Sequence, residues 1–337
     1  MLPVVRQPAF YPGQFGVAGS DVERGLRWRS AGFVLYVNNI HPMTSDANDG
    51  TNPDAPLTTI SQAFTNLATW HARYGAVGSL HGVNSYIVVS PGTYAESLTL
   101  AATTMPDYGV LMGGGNGRYP VIWDDDSGDC LTITAYGWRV ANFHFRPGNG
   151  YAGVLLSRPS GSGAEGTVVE NCFFDGQWSG TGFGVEFNGA PANCTIQNCR
   201  FAEFAATGAA ITVTDTSTAD PYQTHIFGNT FQECDEYITR DCAGGWNQTV
   251  IAHNIFVDGT HDASFPAGAG GTSVFIDMRG GSNGYNRVCD NCLGGDDYSE
   301  TGGYFAGTGD VWAGNYHEDT AEAEVGDNGI TVDPPAA

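Results

Sequence analysis

The chain repeats one short phrase, in which an asparagine is followed two or three residues later by phenylalanine or another apolar residue. The asparagines of this phrase are Asn142, Asn171, Asn198, Asn229, Asn254, Asn291 and, in a weaker copy, Asn315. The interval varies between 24 residues, from Asn291 to Asn315, and 37 residues, from Asn254 to Asn291. Such an interval is too long for a hairpin repeat and too irregular for a helical solenoid of fixed-length units, so it indicates a coiled solenoid of strands.

Each repeat also supplies at least two short β-rich stretches. One precedes the asparagine in most copies, as in Val168-Val169, and a second follows later in the repeat, as in Val185-Glu186-Phe187. Gly, Asn and Asp separate the stretches, as is typical of strands joined by turns. Because one coil cannot bury its own inward row of side chains, neighbouring coils are expected to stack.

Stacking in register would place equivalent residues of successive coils about 4.8 Å apart. The seven asparagines are therefore predicted to form one ladder at a tight bend. Asn tolerates left-handed backbone angles, and its amide can bond to the Asn of the next coil. Their predicted role is structural and not catalytic.

Three of the eight cysteines, Cys172, Cys199 and Cys292, directly follow a repeated asparagine. They are predicted to share one column as small buried or half-buried residues. Free thiols are expected in a reducing compartment, although stacked neighbours could oxidise.

Composition narrows the class of protein further. The 337 residues include 48 glycines, and charged residues make up 15%. These values fit a loop-rich all-β solenoid better than a helical protein, and we predict one elongated domain. No apolar run approaches the roughly 18 residues of a membrane span, and residues 1–8 lack the layout of a secretory signal peptide.

Charge is strongly negative and unevenly placed. Lysine is absent, and 13 arginines face 36 acidic residues for a formal net charge of −23. This balance argues against nucleic acid and anionic membranes as main partners, because both need cationic surface. Residues 1–40 nevertheless carry four arginines against two acids. An N-terminal segment with more basic than acidic residues, on a chain that is otherwise strongly acidic, predicts that the N-terminal end docks to a partner.

Three segments differ from the repeat. Residues 1–33 are rich in Pro and Gly and are predicted to be an extended arm that becomes ordered on contact with a partner. Near residues 59–74, capping-box spacing and apolar residues at helical spacing predict a helix that covers the open end of the solenoid. Residues 318–337 contain six acids and no base and are predicted to form an acidic C-terminal tail.

Two segments carry a resemblance to known proteins, one from Asp46 to Ala63 and one from Val88 to Glu96. With the later Asn-x-Phe coils, they resemble the beginning and body of right-handed parallel β-helix proteins of the pectate-lyase-like superfamily, of the kind found in phage tailspikes and virion proteins. The resemblance covers residues 34–317. It implies an all-β right-handed parallel β-helix solenoid, but no single function, because the superfamily includes lyases, hydrolases, epimerases, adhesins and tailspikes.

The resemblance also implies where lyase chemistry would be sought. Pectate-lyase-like catalysis needs acids from neighbouring coils that hold calcium beside an Arg or Lys base. The candidates are Arg240, Asp241, Asp277, Arg279 and, two coils away, Glu186. An arginine could act as base only if its pKa were strongly depressed. The alternative is that these residues are the solvated faces of alternating strands.

Glycoside hydrolases would use two or three carboxylates across a sugar groove. The densest acidic run is Asp124-Asp125-Asp126, followed by Asp129. Adjacent strand residues point to opposite faces, so this run favours a turn over a converging pair. The Gly-His-Gly and Arg-Ile-Lys phrases of polygalacturonases and the Gly-x-Ser-x-Gly of esterases are absent.

Metal and glycan sites have weaker candidates. Asp46, Asn48 and Asp49 alternate as in calcium loops, but without the later Glu they favour a turn. A single C-x-x-C, Cys289 to Cys292, does not predict zinc. His225 and His253 lie near equivalent coil positions and could stack. Loop aromatic residues could form a glycan platform or pack between coils, and they are Trp178, Tyr222, Trp246, Phe265, Tyr298 and Tyr304.

No catalytic residue, cofactor or metal ligand is predicted. The arm, the charge asymmetry and the missing catalytic signature predict a virion structural protein, namely a spike, fibre or capsid decoration component of a tailed virus assembled in the host cytoplasm. It would be a homotrimer anchored to capsid or tail proteins through residues 1–33 and able to contact host-surface polysaccharide. Two alternatives remain: a polysaccharide lyase or glycoside hydrolase acting on acidic glycans, and an adhesion module.

Overall fold

The computed structural model describes most of the chain from Val34 onwards. The described ranges are 34–75, 85–115, 120–158, 163–177, 181–204, 208–214, 220–240, 245–257, 273–279, 284–295, 298–300, 302–317, 324–326 and 328–335. Within these ranges the chain forms one α-helix and 27 β-strands. The predicted arm, residues 1–33, lies outside them.

The strands form three sheets. Sheet A has ten strands, in spatial order β1 (Val34–Val37), β2 (Tyr86–Val89), β5 (Val110–Gly113), β8 (Arg139–Ala141), β11 (Val168–Glu170), β14 (Thr195–Gln197), β17 (His225–Phe227), β20 (Val250–Ala252), β23 (Arg287–Cys289) and β26 (Val311–Ala313). Sheet B has nine, β3 (Gly92–Tyr94), β6 (Val121–Asp125), β9 (Phe143–Pro147), β12 (Phe173–Asp175), β15 (Arg200–Ala202), β18 (Thr230–Gln232), β21 (Ile255–Val257), β24 (Cys292–Leu293) and β27 (Tyr316–His317). Sheet C has eight, β4 (Leu98–Leu100), β7 (Leu131–Ile133), β10 (Ala152–Arg158), β13 (Phe183–Gly189), β16 (Ala209–Val213), β19 (Glu236–Arg240), β22 (Val274–Asp277) and β25 (Tyr304–Phe305).

From β2 onwards the chain visits sheets A, B and C in turn, once per coil, and neighbouring strands within each sheet are parallel. This arrangement is a right-handed parallel β-helix, so the predicted fold class is confirmed. A parallel sheet needs a long crossover between neighbouring strands. Here the rest of each coil supplies it, which is why the sequence interval exceeds that of a hairpin.

One column of aromatic rings runs along the inward face of sheet B, inside the solenoid. The register places Trp123, Phe145, Phe174, Phe201, Phe231 and Phe256 on successive strands. Neighbouring ring centroids are between 4.8 and 5.6 Å apart, and the planes are close to parallel. The rings are at most 2% exposed, so the phenylalanine of the repeated phrase supplies a continuous core.

The repeated asparagines occupy two positions and not the single one predicted. In most coils the bend from sheet A to sheet B has two residues, of which the first has a left-handed backbone and the second is buried. Asn171 and Asn198 take the first position, with φ of 51° and 53°. Asn254 takes the second, because His253 already provides the left-handed residue. Both positions suit Asn, for different reasons.

The buried asparagines alone form the hydrogen-bonded ladder. The Nδ2 of Asn229 donates to Oδ1 of Asn254 at 3.0 Å, Asn254 donates to Asn291 at 3.0 Å, and Asn291 donates to Asn315 at 2.8 Å. Each Oδ1 also accepts the backbone N–H of the asparagine one coil earlier, at 2.9 to 3.1 Å. The ladder therefore satisfies buried backbone groups as well as its own amides.

The predicted cysteine column is wrong for one member. Cys172 and Cys199 precede β12 and β15, where they occupy the buried position that Asn229 takes in the next coil. Cys292 instead lies on β24 in register with Ile255 and is exposed. The difference arises because the asparagine before Cys292 is at the second bend position and not the first.

The helix α1, Ile60–Gly75, covers the first coil. Its apolar side chains Ile60, Phe64 and Leu67 are at most 5% exposed and belong to the core. The hydroxyl of Thr59 accepts the N–H of Gln62 at 3.1 Å, as the capping spacing predicted. Glu96 adds a second cap, because its carboxylate accepts the N–H groups of Ile60 and Ser61 at 3.0 and 2.8 Å.

The last coil is also covered. Antiparallel bridges join Tyr316 to Ile330 and Val325 to Thr331. The hydroxyl of Thr331 accepts Nδ2 of Asn315 at 3.3 Å and so ends the asparagine ladder. Covering both ends protects strand edges that would otherwise pair with other chains. Within the described ranges, no helix has the length and apolar character that crossing a membrane would require.

Candidate ligand-binding site

Four consecutive strands of sheet B, β6, β9, β12 and β15, present charged and planar side chains outwards. In β9 the inward residues Phe143 and Phe145 are buried, and His144 and Arg146 alternate with them on the outer face. Register then places Asp124 beside Arg146 and Phe173 beside His144. Because side chains alternate along a strand, the apolar column inside the sheet fixes which residues point out.

Asp124, Arg146 and Asp175 form a charged row across three coils, and the neutral side chain of Gln177 is hydrogen-bonded to it. The Nη1 of Arg146 donates to Oδ2 of Asp124 at 3.1 Å, and Nη2 donates to Oε1 of Gln177 at 3.0 Å. The Nε lies 3.7 Å from Oδ2 of Asp175. One guanidinium thus links the strand before it and the strand after it. The side chain of Arg146 is 35% exposed, so solvent reaches the row and screens it in part.

His144, Phe173 and Arg200 form a planar stack beside the charged row. The ring centroids of His144 and Phe173 are 4.6 Å apart, and Cζ of Arg200 lies 5.1 Å from the Phe173 centroid. The Nη2 of Arg200 is held by Oε1 of Gln232 at 2.8 Å. We call the charged row and the planar stack together the sheet B patch.

The two parts of the sheet B patch are joined by His144 and Asp175, whose Nε2 and Oδ2 are 3.2 Å apart. Burial acts to raise the pKa of Asp175, but the hydrogen bonds from His144 and the Gln177 N–H, with the charges of His144 and Arg146, outweigh it. The pKa of Asp175 is therefore lowered, and its carboxylate is ionised at neutral pH. The patch combines fixed donors, fixed acceptors and an aromatic ring.

Arg146, Asp175 and Arg200 were not among the site residues predicted from the sequence. The available signal was the separation of 29 residues between His144 and Phe173, which equals the repeat from Asn142 to Asn171. Aligning these two repeats by their inward phenylalanines would have placed His144 beside Phe173. The outward residues two positions further on would then have been paired as well.

Three predicted lyase candidates do come together on sheet C. The Nε and Nη2 of Arg279 donate to the two carboxylate oxygens of Asp277 at 3.0 and 2.8 Å, and Nε of Arg240 lies 3.5 Å from Asp277. The guanidinium of Arg279 stacks 3.6 Å from the ring centroid of Phe305. The hydrogen bond to Asp277 raises the pKa of Arg279. Arg279 therefore remains charged and does not suit the role of a base.

The other two lyase candidates do not join this cluster. Glu186 lies on β13, two strands from Arg240 and three from Asp277, and accepts a hydrogen bond from the hydroxyl of Thr214. Burial raises the pKa of Glu186. Asp241 lies outside the described residues.

Asp124 and Asp125 lie on β6 and not in the turn that the acidic run favoured, but their side chains diverge as the alternation of strand faces predicted. Asp124 points outwards to Arg146, whereas Asp125 is buried and its Oδ1 accepts the N–H and hydroxyl of Ser127 at 3.0 and 2.8 Å. Asp129 accepts the backbone N–H of Ala152 at 2.8 Å. These carboxylates hold turns and coils in place.

The residues that resembled a calcium loop also make turn contacts. Asp46 accepts the N–H groups of Thr58 and Thr59 at 2.9 and 3.0 Å, and Asp49 accepts the N–H of Thr51 at 2.8 Å. In the described part of the chain, no three His, Cys, Asp or Glu side chains are grouped as metal ligands. His225 and His253 do not stack, because His225 is in register with Val250 and His253 lies in a bend.

Three of the predicted platform aromatics are core residues. Trp246, Tyr298 and Tyr304 are 0% exposed, so they pack between coils and are closed to a glycan. Tyr222 is half-buried and bridges the backbones of neighbouring coils. Trp178 and Phe265 lie outside the described ranges.

No protein-family model matches the sequence, and no curated protein matches it either. Among solved structures, a mannuronic acid specific polysaccharide family 6 lyase from human gut microbiota is similar with a TM-score of 0.41 and 14% identity, over 69% of this chain and 59% of that one. The tailspike protein of Acinetobacter baumannii bacteriophage Fri1, a capsular polysaccharide depolymerase, has a TM-score of 0.34 and 10% identity, over 86% of this chain and 59% of that one. A pectin methylesterase from Aspergillus niger has a TM-score of 0.34 and 13% identity, over 87% and 88%.

The chain thus spans 59% of the length of the lyase and of the tailspike. The TM-scores are low, so the fold assignment rests on the strand order and registers described above.

Proposed function

We propose that this protein is a virion structural protein of a tailed virus that binds a host-surface polysaccharide through the sheet B patch. The observation that carries the glycan part is the position of the planar stack directly beside the charged row on one outward face. The half-buried Phe173 ring, held between His144 and Arg200, offers apolar contact to the C–H groups of a sugar, and the charged groups beside it can hydrogen-bond the sugar's hydroxyls. A hydroxyl both donates and accepts, so it can bond to Arg146 and to the carboxylates that flank it.

Charge supports the same assignment. The sheet B patch contains two arginines, Arg146 and Arg200, and two aspartates, Asp124 and Asp175. The formal charges of these four groups sum to zero, in a chain whose net charge is −23. A neutral patch can receive a saccharide without the repulsion that the rest of the surface would exert on an anionic one. The adhesion alternative shares this binding step, and the enzyme alternative adds bond cleavage to it.

Polysaccharide binding can be tested with the full chain and a panel of neutral and acidic bacterial polysaccharides, by calorimetry. We expect Phe173→Ala and Arg146→Gln each to weaken binding about tenfold or more, because each removes a ring contact or a charged hydrogen bond. Arg279→Gln on sheet C is the matched control and should bind normally.

A loss confined to Arg279→Gln would move the site to sheet C and overturn the assignment to sheet B. Absence of binding to every polysaccharide of the panel would contradict the proposal that the protein binds a glycan. New reducing or unsaturated ends, measured with and without calcium, would favour the lyase or hydrolase alternative.

The virion part of the proposal is supported by the sequence of residues 1–33, with its Pro and Gly content and its cluster of arginines. We propose that this segment anchors a homotrimer to capsid or tail proteins. A chain that begins at residue 34 is expected to keep the circular dichroism of the β-helix but to fail to join particles in an assembly reaction. Full incorporation of the truncated chain would contradict the anchoring role.

A further inference from the structure

The buried bend position between sheets A and B brings two thiols together. Register pairs Glu170 with Gln197 before the bend and Phe173 with Arg200 after it. Cys172 and Cys199 therefore occupy the same place in successive coils. Their exposed fractions are 0% and 3%.

The two side chains also point the same way. The thiol of Cys172 donates to the carbonyl of Glu170 at 3.2 Å, and that of Cys199 donates to the carbonyl of Gln197, the equivalent residue, at 3.3 Å. In-register neighbours of parallel strands are about 4.8 Å apart, which lies within the Cα separation of disulfides, roughly 4.4 to 6.8 Å. Burial raises the pKa of Cys199, and the neighbouring Cys172 thiol raises it further.

This step of the column lacks the bond between side chains that is found further along it, although the Cys199 thiol lies 3.8 Å from the carbonyl of Val169 in the coil before. From Asn229 to Asn315, side-chain amides join each coil to the next. The asparagine ladder reaches Cys199 through one hydrogen bond, in which the backbone N–H of Cys199 donates to Oδ1 of Asn229 at 2.9 Å. Between Cys172 and Cys199 the side chains are thiols, which are weak donors and acceptors in the reduced state.

We propose that Cys172 and Cys199 are a redox modification site that becomes an inter-coil disulfide in an oxidising environment. The oxidant is a low-molecular-weight disulfide such as oxidised glutathione. One cysteine thiolate attacks it and releases one glutathione thiolate, leaving a mixed disulfide. The second cysteine thiolate attacks the mixed disulfide and releases the other. Two protons and two electrons leave the cysteines, and two glutathione thiols form.

Three of the other cysteines have no cysteine in register beside them among the described residues. Cys194 lies between Thr167 and Thr224 in its own column, as the registers of the adjoining strands show. Cys289 and Cys292 lie on different sheets. Because both thiols are buried and closed to the oxidant, the bond is expected to form while the coils fold or open, and not in the closed native state.

The test is refolding of the full reduced chain from urea, either in a glutathione redox buffer or in excess reductant, followed by non-reducing peptide mapping. We expect a linked Cys172–Cys199 peptide and a fall in free thiols from the eight of the sequence by two. The melting temperature should rise by about 5 °C, because the bond closes a loop in the unfolded chain, and fall again on reduction.

Cys172→Ala should lose both the linked peptide and the thermal shift, and Cys194→Ala should keep both. Peptide mapping of the unsubstituted chain shows whether the Cys172–Cys199 disulfide forms, even where a variant folds poorly. Recovery of Cys172 and Cys199 as free thiols after oxidative refolding, or of a different linked pair, would overturn the proposal.

Discussion

Replacement of Asn254 by alanine is expected to lower the free energy of unfolding by about 3 kcal/mol. The side chain is 1% exposed. Its Oδ1 accepts the N–H and the Nδ2 of Asn229, both at 3.0 Å, and its Nδ2 donates to the carbonyl of Ile226 and to Oδ1 of Asn291, both at 3.0 Å. Alanine removes all four bonds and leaves their partners buried without water, at about 1 to 3 kcal/mol for each unsatisfied group before relaxation.

The matched control is Asn198→Ala, at an asparagine of the same repeated phrase. Asn198 is exposed and holds a left-handed φ of 53°, so alanine there should cost only about 1 kcal/mol of backbone strain. Glycine should be tolerated at position 198 but not at position 254. Urea unfolding followed by circular dichroism measures all four variants. Equal losses at the two positions would show that the asparagines share one role after all.

The fold could be predicted from the sequence because each coil is recognised by its apolar residues. The prediction holds even when the asparagine is assigned to the wrong one of the two bend positions. The repeated phrase marks the bend of each coil whether Asn occupies the first bend position, as Asn171 does, or the second, as Asn254 does. Gly, Asn, His and Asp are all found at the left-handed position, and Cys and Asn are both found at the buried one. Residue type alone therefore could not assign the column, and the ladder was predicted with too many members.

The candidate site was harder to predict than the fold, because outward side chains meet only once the register is known. A shift of one residue reverses every side chain of a strand. Counting from the asparagine is correct from Asn142 to Asn171, where it pairs His144 with Phe173, but no outward residues were aligned in this way. From Asn198 to Asn229 the same count is wrong by one residue, because the phenylalanines in register there are 30 residues apart and not 31. Asp277 and Arg279 were found because they are close in sequence. Trp246 could not be assigned to the surface or the core, because a short segment between strands can turn an aromatic ring either way. Tyr304 was placed in a loop, because β25 has only two residues and shows no alternating pattern.

Replacement of Phe201 by alanine is expected to cost about 4 kcal/mol of unfolding free energy. The ring is 0% exposed and lies between those of Phe174 and Phe231, with centroid distances of 4.8 and 5.0 Å. Alanine leaves a cavity and interrupts two stacked pairs, each of which contributes about 0.5 to 1.5 kcal/mol beyond area burial. Leucine, which refills most of the volume, should cost only about 1.5 kcal/mol.

Phe173→Ala is the comparison that isolates the interior column, because Phe173 is half-buried and precedes the buried Phe174 on the same strand. Since its outer face already meets solvent, its loss should cost about 1 kcal/mol. Thermal and urea unfolding of the isolated chain at low concentration give both values. A loss at Phe173 as large as that at Phe201 would contradict the assigned faces, unless it grew with protein concentration, in which case the outer face of sheet B would be buried against another copy of the chain.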